Sequence, residues 1–302
     1  MLQYSSTMPK LRLSSHLTIL MILFTIINPL SSLDILALLV IVFTLSYKIL
    51  GDYVILAFLA LRPAIDHWRD FHIFSSSLFN FNINAGLSII VLLWSIYFLS
   101  FNHEYWKKIP RKIIWGVFIL WCAITFIYSY DKSSTITETL KAANLFTLFA
   151  VSYVMYKKHG KDFRQNLFYS LLVAAALPFL VAIYQLLTKT GLTIDGVPNR
   201  IYGTFAHPNI LATFALLIFT VVLDIFLKNK TLSVKQKKFF AITGILSWII
   251  IVFTYTRIAW VGLLALLLMV GIVLYRRLTI VAFAGAVGAY LLFFPINDYI
   301  MK

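Results

Sequence analysis

The sequence predicts an all-α fold, a polytopic transmembrane helix bundle of about ten to eleven spans, and three observations carry that prediction. Of 302 residues, 61% are hydrophobic and only 12% charged, with a mean hydropathy of +0.89. Soluble globular chains have roughly 45–50% apolar and about 25% charged residues. The apolar residues also fall in successive runs close to the roughly 20 residues that a helix needs to cross a bilayer core. Finally, Lys and Arg gather in short clusters between those runs, as the positive-inside rule requires. Together these features exclude a soluble enzyme, a disordered chain, a collagen and a disulfide-stapled secreted domain. Cys122 is the single cysteine, so no intramolecular disulfide forms. The net charge of +15 is dispersed rather than patched, so nucleic acid is not an expected partner.

In order along the chain, hydropathy places spans at 14–30, 33–50, 53–65, 84–101, 112–130, 140–157, 166–188, 207–227, 238–255, 257–275 and 278–295. The first competes with a signal-peptide reading. No small-residue cleavage site follows Leu17–Ile27, and Asn28-Pro29 reads as a turn, so a retained span is preferred. The third, 53–65, is short enough to be re-entrant. Pro178 removes one helix hydrogen bond and predicts a kink in the seventh span. Gly262, Gly271, Gly285 and Gly288 permit close helix contacts in the last two spans, or simply reflect membrane composition. No repeat, low-complexity run or soluble domain is visible, and residues 1–302 read as a single integral-membrane domain.

With the N-terminus assigned to the cytoplasm, the alternating spans put 18 of the 26 Lys and Arg inside. The four strongest clusters fall on that same side: Lys107 to Lys112, Lys157 to Arg164, Lys228 to Lys238, and Arg276 with Arg277. Most acidic residues fall outside, among them Asp66, Asp70, Asp131, Glu138 and Asp195. The C-terminus is then extracytoplasmic.

Outward arginines oppose this orientation rule, so they are the informative ones. Arg200 lies in the richest polar stretch outside the membrane, from Gly191 to Asn209. There Pro208 suits the first position of a helix, His207 the cap and Asn209 the first turn. The next span therefore opens outward with its positive dipole end and free N–H groups, an anion-binding arrangement. Arg257 sits in the tight turn Thr254-Tyr-Thr-Arg-Ile-Ala-Trp260, flanked by hydroxyls that include Thr256. Two arginines at two helix N-termini on one membrane face would clamp a diphosphate, because guanidinium grips phosphate bidentately. Other readings stay open. Arg257 suits an interfacial anchor, Arg200 an exposed loop residue, and His207 a cap more readily than a base. Arg62 suits an anchor or an extension of the clamp, while His67 and His72 beside Asp66 and Asp70 show no metal-ligand spacing. Walker, Rossmann, HExxH, GxSxG and CxxC patterns are absent.

The stretch Arg200-Ile-Tyr-Gly-Thr-Phe-Ala-His-Pro-Asn-Ile-Leu-Ala212 resembles the signature of the O-antigen ligase and O-antigen polymerase superfamily of bacterial envelope enzymes. Thr256-Arg257-Ile-Ala-Trp260 is similar to that family's Ser/Thr-Arg-Gly-Ala-Trp turn, with Ile258 where Gly is common. Leu61-Arg62-Pro63 after the third span and the many-span layout are similar too, and the core motif region runs over about 189–275. The resemblance implies a metal-independent, cofactor-free, inverting glycosyltransferase of polysaccharide or lipopolysaccharide biosynthesis in the bacterial cytoplasmic (inner) membrane. The implied donor is a glycan on undecaprenyl diphosphate, and the implied acceptor is lipid A–core or another lipid-linked glycan. Arg200 and Arg257 then hold the diphosphate, with His207, Asn209 and Thr256 in support. The family continues into a large outer loop with a histidine proposed to activate the acceptor, and further spans. This sequence stops at Lys302, where that loop would begin, so the resemblance implies a C-terminally truncated, split or degenerate member that binds the lipid donor poorly or not at all and lacks full transferase activity. The rival class is a lipid-linked oligosaccharide flippase or other secondary transporter. A carrier places ionisable groups at mid-membrane near broken helices, whereas the span centres here are nearly free of charge.

Overall fold

Helices follow the apolar runs, and the breaks between them fall where backbone chemistry demands. The computed structural model describes residues 32–66, 72–75, 80–194, 196–229 and 232–274. The expected spans 14–30 and 278–295, with His67, Asp70, Gly285 and Gly288, lie outside the described residues. Among the described residues, five helical segments are long and apolar enough to cross a membrane: Val40–Ile65, which contains the turn at Gly51, then Ile83–Phe101, Lys132–Thr188, Pro208–Lys228 and Val234–Phe253. Lys112–Tyr128 and Arg257–Ile272 are shorter apolar helices. The described residues group into two compact units, 32–61 with 72–173, and 62–66 with 174–274.

In the first unit, α1 (Ser32–Leu50) runs through a 3-10 turn at Gly51–Tyr53 into α2 (Val54–Ile65). Gly51 has φ +56°, a left-handed conformation that glycine adopts without strain. Phe43 and Phe58 have ring centroids 4.9 Å apart. Fifteen residues of straight helix would hold them about 22 Å apart, so the two arms fold back on each other at Gly51. That reversal is why a run as short as 53–65 reads as a separate segment. Trp94 of α3 (Ile83–Phe101) packs edge-on to Phe43 and stacks on Phe98. Ahead of α3, the segment read as polar loop contains an antiparallel hairpin, β1 (His72–Ser75) with β2 (Asn80–Asn82). Asn82 caps α3, its side chain accepting from the Ala85 amide at 2.9 Å.

A short α4 (His103–Trp106) precedes α5 (Lys112–Tyr128), which buries no residue fully and exposes most of its apolar side chains, while one stripe through Trp115, Ile119 and Cys122 is half-buried and Trp115 stacks on Phe146. Ile113, Trp121 and Ile127 are 75%, 64% and 79% exposed. A helix this apolar with so little protein against it has hydrocarbon as its natural neighbour.

Next comes α6 (Lys132–Thr188), with its interruption at Gly160 (φ 56°, ψ −124°). The break separates the two spans expected at 140–157 and 166–188. Pro178, where the sequence predicts a kink, keeps helical dihedral angles, as a residue at a proline kink does. The reason is conformational: proline's fixed φ fits a helix, whereas φ near +56° is open chiefly to glycine.

The second unit takes up the C-terminal arm of α6, a hairpin of β3 (Leu192–Ile194) and β4 (Val197–Arg200), and three helices, α7 (Pro208–Lys228), α8 (Val234–Phe253) and α9 (Arg257–Leu274). On α7 the residues Leu211, Ala212, Ala215, Ile218, Val221 and Val222 are buried, a stripe at three- to four-residue spacing. It packs on α8, which buries Phe240, Gly244, Ser247, Ile250 and Ile251. Ser233 and Gln236 close a reciprocal capping box at the start of α8. A Cβ on Gly262 would sit 2.8 Å from Leu216 Cδ2, so this glycine does let α9 approach α7 closely. The two small hairpins are the only strands among the described residues, and the architecture is otherwise helical.

Asp131 opens α6: its carboxylate accepts from the Ser134 amide at 3.0 Å and the Ser134 hydroxyl at 2.6 Å. These bonds favour the ionised form and hold its pKa below the ordinary 3.8. A depressed folded value means the cap is complete above the unfolded aspartate range and is lost as pH falls through the folded value. The protection of the Ser134 amide from hydrogen exchange, relative to its intrinsic rate at each pH, is therefore expected to fall below the usual aspartate range, and Asp131→Asn to remove that fall.

Candidate functional site

The polar stretch after α6 is built around glycines that the geometry requires. Gly196, at φ +74°, turns the β3–β4 hairpin. A Cβ on Gly191 would lie 2.5 Å from the Asn199 carbonyl carbon, so only glycine lets the two strands close here. The register slips between Leu192 and Ile194, placing an extra residue on β4, and Asn199 there has φ +58°. Asparagine tolerates that conformation better than most residues. This bulge comes immediately before Arg200, and bulges re-aim the side chain that follows.

Arg200 points inward and is 6% exposed. Its Nε donates to the Thr254 carbonyl at 2.9 Å, and its Nη2 to Asn209 Oδ1 at 3.1 Å and Thr256 Oγ1 at 3.5 Å. Thr256 Oγ1 donates in turn to Asn209 Oδ1 at 3.0 Å. One hydroxyl proton and two acceptor lone pairs satisfy both contacts at Thr256. The Ile201 amide donates to the Phe253 carbonyl at 3.4 Å, alongside the arginine. Hence the Arg200 segment and the α8–α9 turn, more than fifty residues apart in sequence, are joined by side chain and backbone together.

Two helix N-termini meet in this network. At α7, the His207 carbonyl accepts the first helix bonds, from Ile210 and Leu211. Its side-chain Nδ1 accepts from the Asn209 amide at 3.2 Å, so the imidazole stands as the cap, with Pro208 at the first helical position. At α9, the Thr256 carbonyl accepts from Ala259 and Trp260. Asn209 and Thr256, held together by their side chains, thus bring the positive dipole ends of α7 and α9 side by side. Tyr255, just ahead, has φ +52°, strained for an aromatic residue and enforced by the tight turn.

Arg257 is the first residue of α9 and is exposed. It makes no ion pair among the described residues. The two arginines therefore differ in state. Arg200 is buried with its Nε–Nη2 edge committed to protein groups, while Arg257 stands open at the joined helix ends. Arg62 pairs with Asp66 at 3.1 Å near the end of α2. Next to it, the Pro63 carbonyl, one of the orphan acceptors at a helix C-terminus, receives the Thr204 hydroxyl at 2.7 Å.

Sequence reasoning missed Gln185. It is 5% exposed on the C-terminal arm of α6 and acts as a three-way clamp on the loop. Its Oε1 accepts from the Tyr202 and Gly203 amides at 3.0 and 2.9 Å, and its Nε2 donates to the Gly203 carbonyl at 3.1 Å. Gly203 has φ +61°, and a Cβ there would lie 2.8 Å from the Pro178 carbonyl oxygen. The available signal was a lone amide in the apolar run Val181–Leu187, since a buried polar group in a membrane helix needs partners. Among the described residues no group of three His, Cys, Asp or Glu side chains is placed to hold a metal ion.

The fold defines the class, a helical membrane protein with five helices long and apolar enough to cross a bilayer. Comparison with known proteins finds no matching family model, no matching curated protein and no matching solved structure.

Gln185→Met would orphan two buried amides and a carbonyl, each costing on the order of 1–3 kcal/mol. A loss of several degrees in thermal stability is expected for the detergent-solubilised protein. Gln185→Glu keeps the acceptor for both amides and should lose less. Equal losses in the two variants would contradict the clamp.

Proposed function

We propose that the protein is a membrane glycosyltransferase of the O-antigen ligase and polymerase type, working on undecaprenyl-diphosphate-linked glycan at the outer face of the bacterial cytoplasmic membrane. One observation carries the reading: the Asn209–Thr256 bond seats two helix N-termini together, with the exposed Arg257 guanidinium at one of them. Such a corner concentrates fixed positive potential, with no ion pair on Arg257 among the described residues, and a diphosphate is the group that it suits. Motif similarity at Arg200–Ala212 and Thr256–Trp260 supports the same ligand, and the distribution of Lys and Arg supports the outward orientation.

In this reading the two arginines divide the work. Arg257 contacts the diphosphate directly. Arg200 positions the α8–α9 turn and holds Asn209 and Thr256 in register, and its burial and its hydrogen bonds to the protein suit that role. His207 serves as the cap of α7 rather than as a base, because its Nδ1 is engaged by the Asn209 amide. Glycosyl transfer leaves negative charge on the departing lipid diphosphate. A fixed guanidinium and oriented N–H groups stabilise that charge most when it is fully developed, which lowers the barrier. The acceptor is lipid A–core or a second lipid-linked glycan.

Binding of undecaprenyl diphosphate to the reconstituted protein tests the reading, with undecaprenyl monophosphate for comparison. The diphosphate should bind more tightly, and Arg257→Ala should weaken it by at least tenfold at unchanged thermal stability. Arg257→Lys should recover only part, because a single ammonium cannot form the bidentate pair. Arg200→Ala should lower binding and stability together. Wild-type affinity for the diphosphate in Arg257→Ala would refute the assignment. A cysteine placed at Gly196 should react with a membrane-impermeant maleimide in intact cells; protection there would invert the orientation.

A further inference from the structure

The first compact unit carries a groove that the arginine site leaves unused, where α6 breaks at Gly160. The groove has a volume of about 340 Å³ and an almost wholly apolar wall. Phe149, Tyr153 and Tyr156 line it from the arm before Gly160, and Phe163, Arg164 and Leu167 from the arm after it. Phe149 and Leu167 would stand about 27 Å apart on one straight helix. They share one groove because the non-helical backbone at Gly160 turns the arms toward each other.

The corner is strongly basic. Lys157, Lys158, Lys161 and Arg164 fall within eight residues, against Asp162 alone. Lys158 is drawn away: it pairs with Asp52 at 3.5 Å and lies over the Phe98 ring. Lys157 lies over Tyr153, a groove residue, at 5.6 Å. Lys161 and Arg164 are exposed and make no ion pair among the described residues. The quartet sits between the apolar runs 140–157 and 166–188, where a chain crossing a bilayer would meet the lipid headgroups. A polar ligand would gain nothing from the aromatic wall, and a neutral lipid nothing from the cations.

We propose that this groove is a binding site for an anionic phospholipid of the surrounding membrane, with an acyl chain along Phe149, Tyr153 and Phe163 and the phosphate on Arg164 and Lys161. Basic pockets between membrane helices are suited to such headgroups by charge, and the adjoining apolar slot supplies the chain site. The groove lies apart from the arginine corner in sequence, and its occupancy is independent of glycosyl transfer.

Spin-labelled phosphatidylglycerol and phosphatidylcholine, each added to the full chain in phosphatidylcholine vesicles, give the test. The anionic probe should be retained about 25-fold over the neutral one at low salt, from two cations together. Arg164→Gln with Lys161→Gln should erase that preference, at about fivefold per lost cation. Arg164→Lys should keep most of it, which separates charge from damage to the fold. Tyr153→Ala, which opens the slot, should weaken retention of the anionic probe while both cations remain. Glycerol 1-phosphate, which has the headgroup charge but no acyl chain, should fail to displace the lipid. Equal retention of both probes by the wild-type chain, an unaltered preference in the double variant, or displacement by glycerol 1-phosphate would each overturn the proposal.

Discussion

Arg200 is a cation placed where a cation is expensive, and the surrounding structure is arranged to make that tolerable. A buried guanidinium without partners would cost several kcal/mol. Here the Thr254 carbonyl, the Asn209 amide oxygen and the Thr256 hydroxyl converge on it, from a helix end, a helix start and a tight turn. None of these elements holds its place alone. The hairpin requires Gly191, the loop requires the Gln185 clamp, and the turn forces Tyr255 into a left-handed backbone. The side-by-side placement of two helix N-termini follows from that convergence, and the exposed cation Arg257 follows from the placement.

The bilayer imposes the remaining constraint. Apolar contact drives association weakly when hydrocarbon is the alternative neighbour, so polar bonds and small residues carry the specificity of helix contacts. In the second unit, Gly262 against Leu216 is one such contact, and the Thr204 hydroxyl on the Pro63 carbonyl is another. α5 shows the opposite regime: most of its bulky apolar side chains are exposed, and Trp115 stacked on Phe146 marks its half-buried face.

Both breaks that shape the first unit occur at glycines with φ near +56°. At Gly51 the chain folds Phe58 back onto Phe43, and at Gly160 it brings Arg164 beside Tyr156. Pro178 keeps helical dihedral angles, and its carbonyl forms a floor for Gly203. A proline ring is compatible with helical φ and removes one hydrogen bond; a left-handed glycine leaves the helix altogether.

Hydropathy and charge are sums over neighbouring residues, so whatever depends on neighbours was legible without a structure. The helical membrane character, most described helices to within a few residues, and the cap at His207-Pro208 all belong there, although the helix Lys132–Thr188 begins eight residues before the expected span. The hairpin at 72–82 was not legible, because its alternation is short and sits in a polar stretch. The roles of Gln185, Asn209 and Thr256 as joints depend on partners 17 to 56 residues away, which no local pattern encodes. Tertiary structure likewise decided that one arginine is buried among hydrogen-bond acceptors while the other is open. Burial is set by what packs around a side chain, and identical residue types in similar local contexts carry no record of it.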